Sequence, residues 1–220
     1  MSFLVVANFK SNLTKEQVES WLKVIKPTPN MVIAPSFLHL STIHDLKSTI
    51  SLAAQDVSPF PPGSYTGAVN ASQLKELGVT YCIVGHSERR RYFHETPSDI
   101  ASKIRELVSV GITPILCMDE LDVIPQFAAL DTELYAQCIY CFEPSGGIGG
   151  TATASLETIK KVQDQVRQFI EDGRFMYGGS VNQDNVVSLL PLNLFGVLVA
   201  SASLDPVHFQ SIVTKATHAS

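Results

Sequence analysis

The stretch Tyr81-Cys82-Ile83-Val84-Gly85-His86-Ser87-Glu88-Arg89-Arg90 decides how this chain is read. An unbroken apolar run stops at a glycine, and five polar or ionisable residues follow without a gap. A half-buried strand would alternate; a continuous run fits a strand covered on both faces, as in parallel sheets. Polar residues crowded past the end of such a strand suit an active site, because a rigid strand can aim side chains at a substrate. A solvated loop rich in charge is the competing reading, and this stretch alone leaves both open.

Runs of the same kind recur at residues 3–7, 31–34, 50–54, 81–84, 113–117, 137–142, 174–177 and 196–200, eight in all. Amphipathic patterns lie between them. Thr14 has the chemistry of an N-cap, with Gln17 three residues on, Val18, Trp21, Leu22 and Ile25 on one face, and Pro27 closing the pattern. Pro97 suits the first turn of a helix carrying Ile100, Ile104, Leu107 and Val108, with Gly111 at its C-terminus. Further helices are predicted over 155–171, 182–190 and 205–216, and one of barely two turns over 122–130. Strict alternation with eight strands favours a closed (β/α)8 barrel, a single α/β domain over residues 1–220, over a doubly wound sheet. The loop 56–66, rich in Pro and Gly with Phe60 near its tip, is too long for an ordinary barrel connection and is a candidate partner contact.

Hydrophobic residues make up 45% of the chain and charged residues 17%, the composition of a compact globular protein. Net charge is −5 without a cluster of Lys and Arg among aromatics, which argues against nucleic-acid binding. No apolar run has membrane-spanning length, and Met1-Ser2-Phe3 leads straight into a strand-like run, so a cytoplasmic enzyme is expected. Cys138 and Cys141 have the spacing of half a metal or redox motif, but residues three apart on a strand face opposite ways. With Cys82 and Cys117 they read as buried structural thiols.

In a barrel, sites form where strands end at their C-termini. Asn8 and Lys10 follow the first strand, His86, Ser87 and Glu88 the fourth, and Glu143 the sixth. An amide, a cation, an imidazole and a carboxylate on one rim suit proton transfer beside a carbonyl, with Glu143 as base, His86 as electrophile or acid and Lys10 as countercharge. Small residues at 146–150, at Gly178-Gly179-Ser180 and at Ala200-Ser201 precede the last helices, where backbone amides can approach a phosphate.

Several segments together resemble the triosephosphate isomerase family: Ala7-Asn8-Phe9-Lys10-Ser11-Asn12, Ala53-Ala54-Gln55-Asp56, Tyr65-Thr66-Gly67, Leu77-Gly78-Val79-Thr80, Val84 to Arg90, Phe142-Glu143-Pro144 and Tyr177-Gly178-Gly179-Ser180-Val181. The resemblance implies interconversion of dihydroxyacetone phosphate and glyceraldehyde 3-phosphate through an enediolate, with no metal or organic cofactor. It implies that Glu143 moves the proton and that His86, kept neutral by the N-terminus of a short helix, hydrogen-bonds the substrate oxygens. Lys10 would offset charge, Asn8 orient the oxygens, and Glu88 support the site beside Lys10. Backbone groups near Gly149, Ser180, Ala200 and Ser201 would hold the phosphate. It further implies a homodimer in which loop 56–66 enters the neighbour and brings Thr66 near its site; Arg89 and Arg90 read as structural or interface charges.

The chain departs from the family pattern in three places. It is short, mainly between Cys117 and Cys138 in the fifth helix. After Glu143-Pro144 the family's bulky hinge gives way to Ser145-Gly146-Gly147-Ile148-Gly149-Gly150-Thr151, whose glycines raise the entropy lost on closing a lid. The usual Gly-Gly of the eighth loop is Ala200-Ser201. An isomerase with intact chemical groups, a raised KM and some loss of kcat is expected. A barrel that binds phosphorylated metabolites without turnover is the rival, as is a lyase or epimerase acting on another sugar phosphate. Joint retention of Asn8, Lys10, His86 and Glu143 argues against the first, and the His86 segment against the second.

Overall fold

A computed structural model describes residues 3–45, 50–144 and 153–218. Eight parallel strands close into a barrel in sequence order: β1 (Leu4–Asn8), β2 (Met31–Ala34), β3 (Ser51–Ala54), β4 (Val79–Val84), β5 (Thr113–Met118), β6 (Ile139–Phe142), β7 (Arg174–Tyr177) and β8 (Gly196–Val199). The ring of helices outside comprises α1 (Lys15–Val24), α2 (Phe37–Asp45), α3 (Ala71–Glu76), α4 (Ser87–Tyr92), α5 (Pro97–Ser109), α6 (Val123–Ala129), α7 (Leu156–Arg167), α8 (Val186–Leu189) and α9 (Pro206–His218). The expected single (β/α)8 barrel is the observed architecture.

The unbroken apolar runs have the cause inferred for them. Alternate residues of each strand enter two cores, Val6, Ile83, Ile115 and Met176 inside the barrel and Val5, Val84, Leu116 and Tyr177 beneath the helices. Cys138 lies in the outer core and Cys141 in the inner one, so their sulfurs diverge. Burial raises all four thiols, Cys138 to about 12, which keeps them protonated and inert. At the closing seam, Gly196 pairs with Leu4 so closely that a Cβ would come within 2.2 Å of the Leu4 carbonyl oxygen.

The helices begin where the caps place them. Thr14 and Gln17 form a capping box on α1, and Thr96 with Asp99 does the same ahead of Pro97 in α5. Ile100, Ile104 and Leu107 of α5 are fully buried, each worth roughly 1.5–3 kcal/mol. The helix read over 182–190 contracts to α8 and a 3-10 turn at Leu190–Leu192. Asn182 Oδ1 accepts the amides of Asp184 and Asn185, and Asn185 Oδ1 accepts that of Asn182. Such side-chain bonds compete with helical ones and delay the helix. The helix read to residue 171 ends at Arg167, with a looser turn carrying the chain to Ile170.

The expected short fifth helix is α6, only seven residues long. Aromatics fill the space it leaves: Phe127 stacks on Phe169 at 4.3 Å, meets Tyr135 edge-on at 4.9 Å, and lies 5.1 Å from Tyr140. The Tyr135 hydroxyl donates to the Phe127 carbonyl, which satisfies a helix-end acceptor. No helix among the described residues is long and apolar enough to cross a membrane.

Candidate active site

The polar residues predicted at strand ends converge on one mouth of the barrel. Asn8 is the last residue of β1 and is buried. Lys10 follows with φ +48°, a left-handed conformation that costs a non-glycine residue about 1–3 kcal/mol. Two side chains hold it: Asn8 Oδ1 accepts the Lys10 amide at 3.0 Å, and Gln55 Nε2 donates to the carbonyls of Lys10 (3.0 Å) and Ala34 (2.8 Å). The Lys10 ammonium then pairs with Glu88 at 2.8 Å.

Gly85 ends β4 at φ +67°, and a Cβ there would meet Arg90 Nη2 at 2.8 Å and the Cys117 carbonyl oxygen at 3.0 Å. Arg90 locks this corner, donating to the carbonyls of Gly85 and Cys117 and to Gln126 Oε1. The turn leaves His86 as N-cap of α4, where its Nδ1 accepts the Glu88 amide at 3.2 Å. An accepting Nδ1 leaves the proton of a neutral imidazole on Nε2, which lies 3.1 Å from Glu143 Oε1. Glu143 continues the β6 ladder through its amide to the Met118 carbonyl, and its Oε2 accepts the Ser87 amide at 3.3 Å.

His86 and Glu143 are both buried, and each acts on the other's charge. Burial alone would raise Glu143, but the His86 charge and hydrogen bond, the Ser87 amide and Lys10 outweigh it and hold the carboxyl below its usual range. Burial lowers His86, yet the Glu143 carboxylate outweighs that and holds the imidazole above its usual range. The cause is the carboxylate in contact with Nε2, while Nδ1, accepting the Glu88 amide, keeps the geometry of the neutral ring. These groups line a cavity of about 360 Å³ together with Asn8, Lys10, Gly178, Ser180, Ala200 and Ser201.

The triosephosphate isomerase family model matches residues 3–216. The chain belongs to the triosephosphate isomerase family. Among its relatives are the triosephosphate isomerases of Wolbachia sp. subsp. Brugia malayi (strain TRS), 35% identical over 97% of each chain, and Ehrlichia chaffeensis (strain ATCC CRL-10679 / Arkansas), 34% identical over 97% of this chain and 96% of the relative. That of Polynucleobacter asymbioticus (strain DSM 18221 / CIP 109841 / QLW-P1DMWA-1) is 33% identical over 95% and 97%. Its alignment runs over 246 positions against the 220 residues present here, so the relatives carry residues this chain lacks.

In this triosephosphate isomerase family member, Asn8, Lys10, His86, Glu88, Glu143, Ser180, Ala200 and Ser201 all line one cavity; Gly149 and the whole glycine-rich segment 145–151 lie outside the described residues. Neither Ala200 (φ −97°) nor Ser201 takes a left-handed conformation, so no positive φ demands glycine at these two positions. Arg89 binds Asp56 and Glu95 and so ties loop 56–66 to the barrel with Lys103. Sequence reasoning gave no role to Gln55, which holds Lys10, nor to Asn185, whose Nδ2 donates to the Ser180 carbonyl at 2.8 Å. The signal for Gln55 was visible: it is a polar residue at the end of β3, on the same rim.

Proposed function

We propose that the chain interconverts dihydroxyacetone phosphate and D-glyceraldehyde 3-phosphate through an enediolate, with Glu143 as the base. The observation that carries the reading is the buried His86–Glu143 contact at 3.1 Å in a cavity that also holds the Lys10 ammonium. A buried carboxylate kept ionised can take a proton from a carbon beside the carbonyl. Lys10 and the His86 Nε2–H face the developing oxyanion, with Asn8 orienting the oxygens and Glu88 steadying Lys10.

The geometry also lets His86 serve as a neutral donor: its Nδ1 accepts the Glu88 amide, which leaves the ring proton on Nε2, beside Glu143 and the cavity.

The phosphate end is built from Ser180 and from Ala200-Ser201, where a 3-10 turn (Ser201–Ser203) begins. Its first internal bonds come from the Ser203 and Leu204 amides, so the Ser201 and Ala202 amides precede them and suit an anion. Gly149 and the lid join this grip, and the lid's glycines raise KM. The enzyme works in the cytoplasm as a homodimer joined through loop 56–66. That loop presents Phe60 stacked on Tyr65 at 4.5 Å, both rings about half exposed, and Thr66 beside them.

Isomerisation run in D2O tests the chemistry. A product carrying solvent deuterium on the carbon that gained the proton is expected. Conversion with no solvent deuterium in the product would point to a direct hydride shift and against Glu143 as base.

A further inference from the structure

We propose that Trp21, on α1 and outside the cavity, is a positioning residue for phosphate binding; the inference rests on reading Ala200-Ser201 as the phosphate site. Trp21 is buried, and its indole Nε1–H donates to the Ser203 carbonyl at 2.9 Å, a contact between residues 182 positions apart. Ser203 closes the turn that begins at Ala200: its amide and hydroxyl both donate to the Ala200 carbonyl, at 2.8 and 2.6 Å. Ser203 is itself fully buried, so without the indole its carbonyl would lose the hydrogen bond that burial demands.

The indole holds the turn from behind while Ala200, Ser201 and Ala202 face the cavity. Its ring is fixed by Phe9 edge-on at 5.1 Å and by Phe209 of α9 at 5.7 Å. Phe9 sits between Asn8 and Lys10, so one side chain braces both the turn that would grip phosphate and the strand end that would meet the oxyanion. A one-turn 3-10 element has few bonds of its own, and a 1 Å displacement of a binding group is enough to weaken it. Trp21 is also the single tryptophan of the chain, so the protein's indole emission comes from this place alone.

Trp21→Phe keeps an aromatic ring between Phe9 and Phe209 and removes the donor. Three readouts are taken on both proteins: inhibition by inorganic phosphate, the KM and kcat for triose phosphate, and turnover of glyceraldehyde, which has no phosphate. We expect Trp21→Phe to raise KM and the phosphate inhibition constant about tenfold, with kcat and glyceraldehyde turnover within twofold. Equal losses on both substrates would show a merely structural role and overturn the proposal, as would unchanged constants. Should the variant not fold, wild-type emission decides: a change that saturates at the inhibitory phosphate concentration supports the proposal, and invariant emission overturns it. If phosphate does not inhibit the wild type, the reading of Ala200-Ser201 fails and takes this proposal with it; if phosphate inhibits and Trp21→Phe is silent, only the role of Trp21 fails.

Discussion

Replacing Gly178 by alanine should separate the position of the base from the stability of the barrel. Gly178 follows β7, donates its amide to the Phe142 carbonyl at 2.8 Å, and does not take a left-handed conformation, so its backbone accepts alanine. The new Cβ would stand 2.8 Å from Cys141 Sγ, 3.0 Å from Glu143 Cγ and 3.4 Å from Glu143 Oε1. Ordinary carbon contacts need about 3.5–4.0 Å, so Glu143 must move by roughly 0.5–1 Å. Misplacing a reacting group by that much costs on the order of 100-fold in kcat/KM. Overpacking should cost only about 1–3 kcal/mol of stability, measurable by urea unfolding. Adding Cys141→Ala removes the sulfur contact and leaves the one to Glu143, so stability should recover by about 1 kcal/mol while activity stays low. The assay couples glyceraldehyde 3-phosphate turnover to a dehydrogenase. Near-wild-type kcat/KM in Gly178→Ala, or rescue of activity by Cys141→Ala, would refute the reasoning.

Other consequences are open to measurement. Glu143 is depressed in the fold, so its contribution to stability is present above its unfolded pKa and lost as pH falls through the folded one; His86 is raised, so its contribution is present below its unfolded pKa and lost as pH rises through the folded one. The pair should therefore stabilise most between about pH 4.5 and 6.5, and the melting temperature of wild type minus that of Glu143→Gln should peak there; a flat difference would count against the coupling. Arg90→Lys leaves the carbonyls of Gly85 and Cys117 short of donors and should cost roughly 2–4 kcal/mol in urea unfolding. Phe60→Asp should convert a dimer to the 24.0 kDa monomer in sedimentation, and a wild type already monomeric would contradict the proposed assembly.

The barrel and the chemical groups were legible because both depend on local pattern. A strand buried on both faces must be continuously apolar, and the residues that break the run at its end, such as His86 and Glu143, stand out against it. What stayed hidden depends on partners far away in the chain. Lys10 takes a left-handed conformation because Gln55 and Asn8 hold it, and no periodicity shows that. Trp21 reads as a core residue of α1, and only the fold brings its N–H to Ser203. The contraction of α8 has a nearer reason: Asn182 and Asn185 lie inside the predicted span 182–190, and their side chains bind the backbone there instead. The shift of His86 also escapes sequence reading, since the helix N-terminus is local but the Glu143 carboxylate arrives from another strand.

The central claim is that Glu143 is the base, and the coupled assay on wild type and Glu143→Gln tests it most directly. Glutamine keeps the volume and removes the charge. The account predicts measurable turnover by the wild type and a fall of about 10²–10⁴-fold in kcat for Glu143→Gln, with inorganic phosphate still binding both proteins. Equal rates in the two proteins would contradict it; no turnover by either, with phosphate still bound, would make this barrel a binder of phosphorylated metabolites.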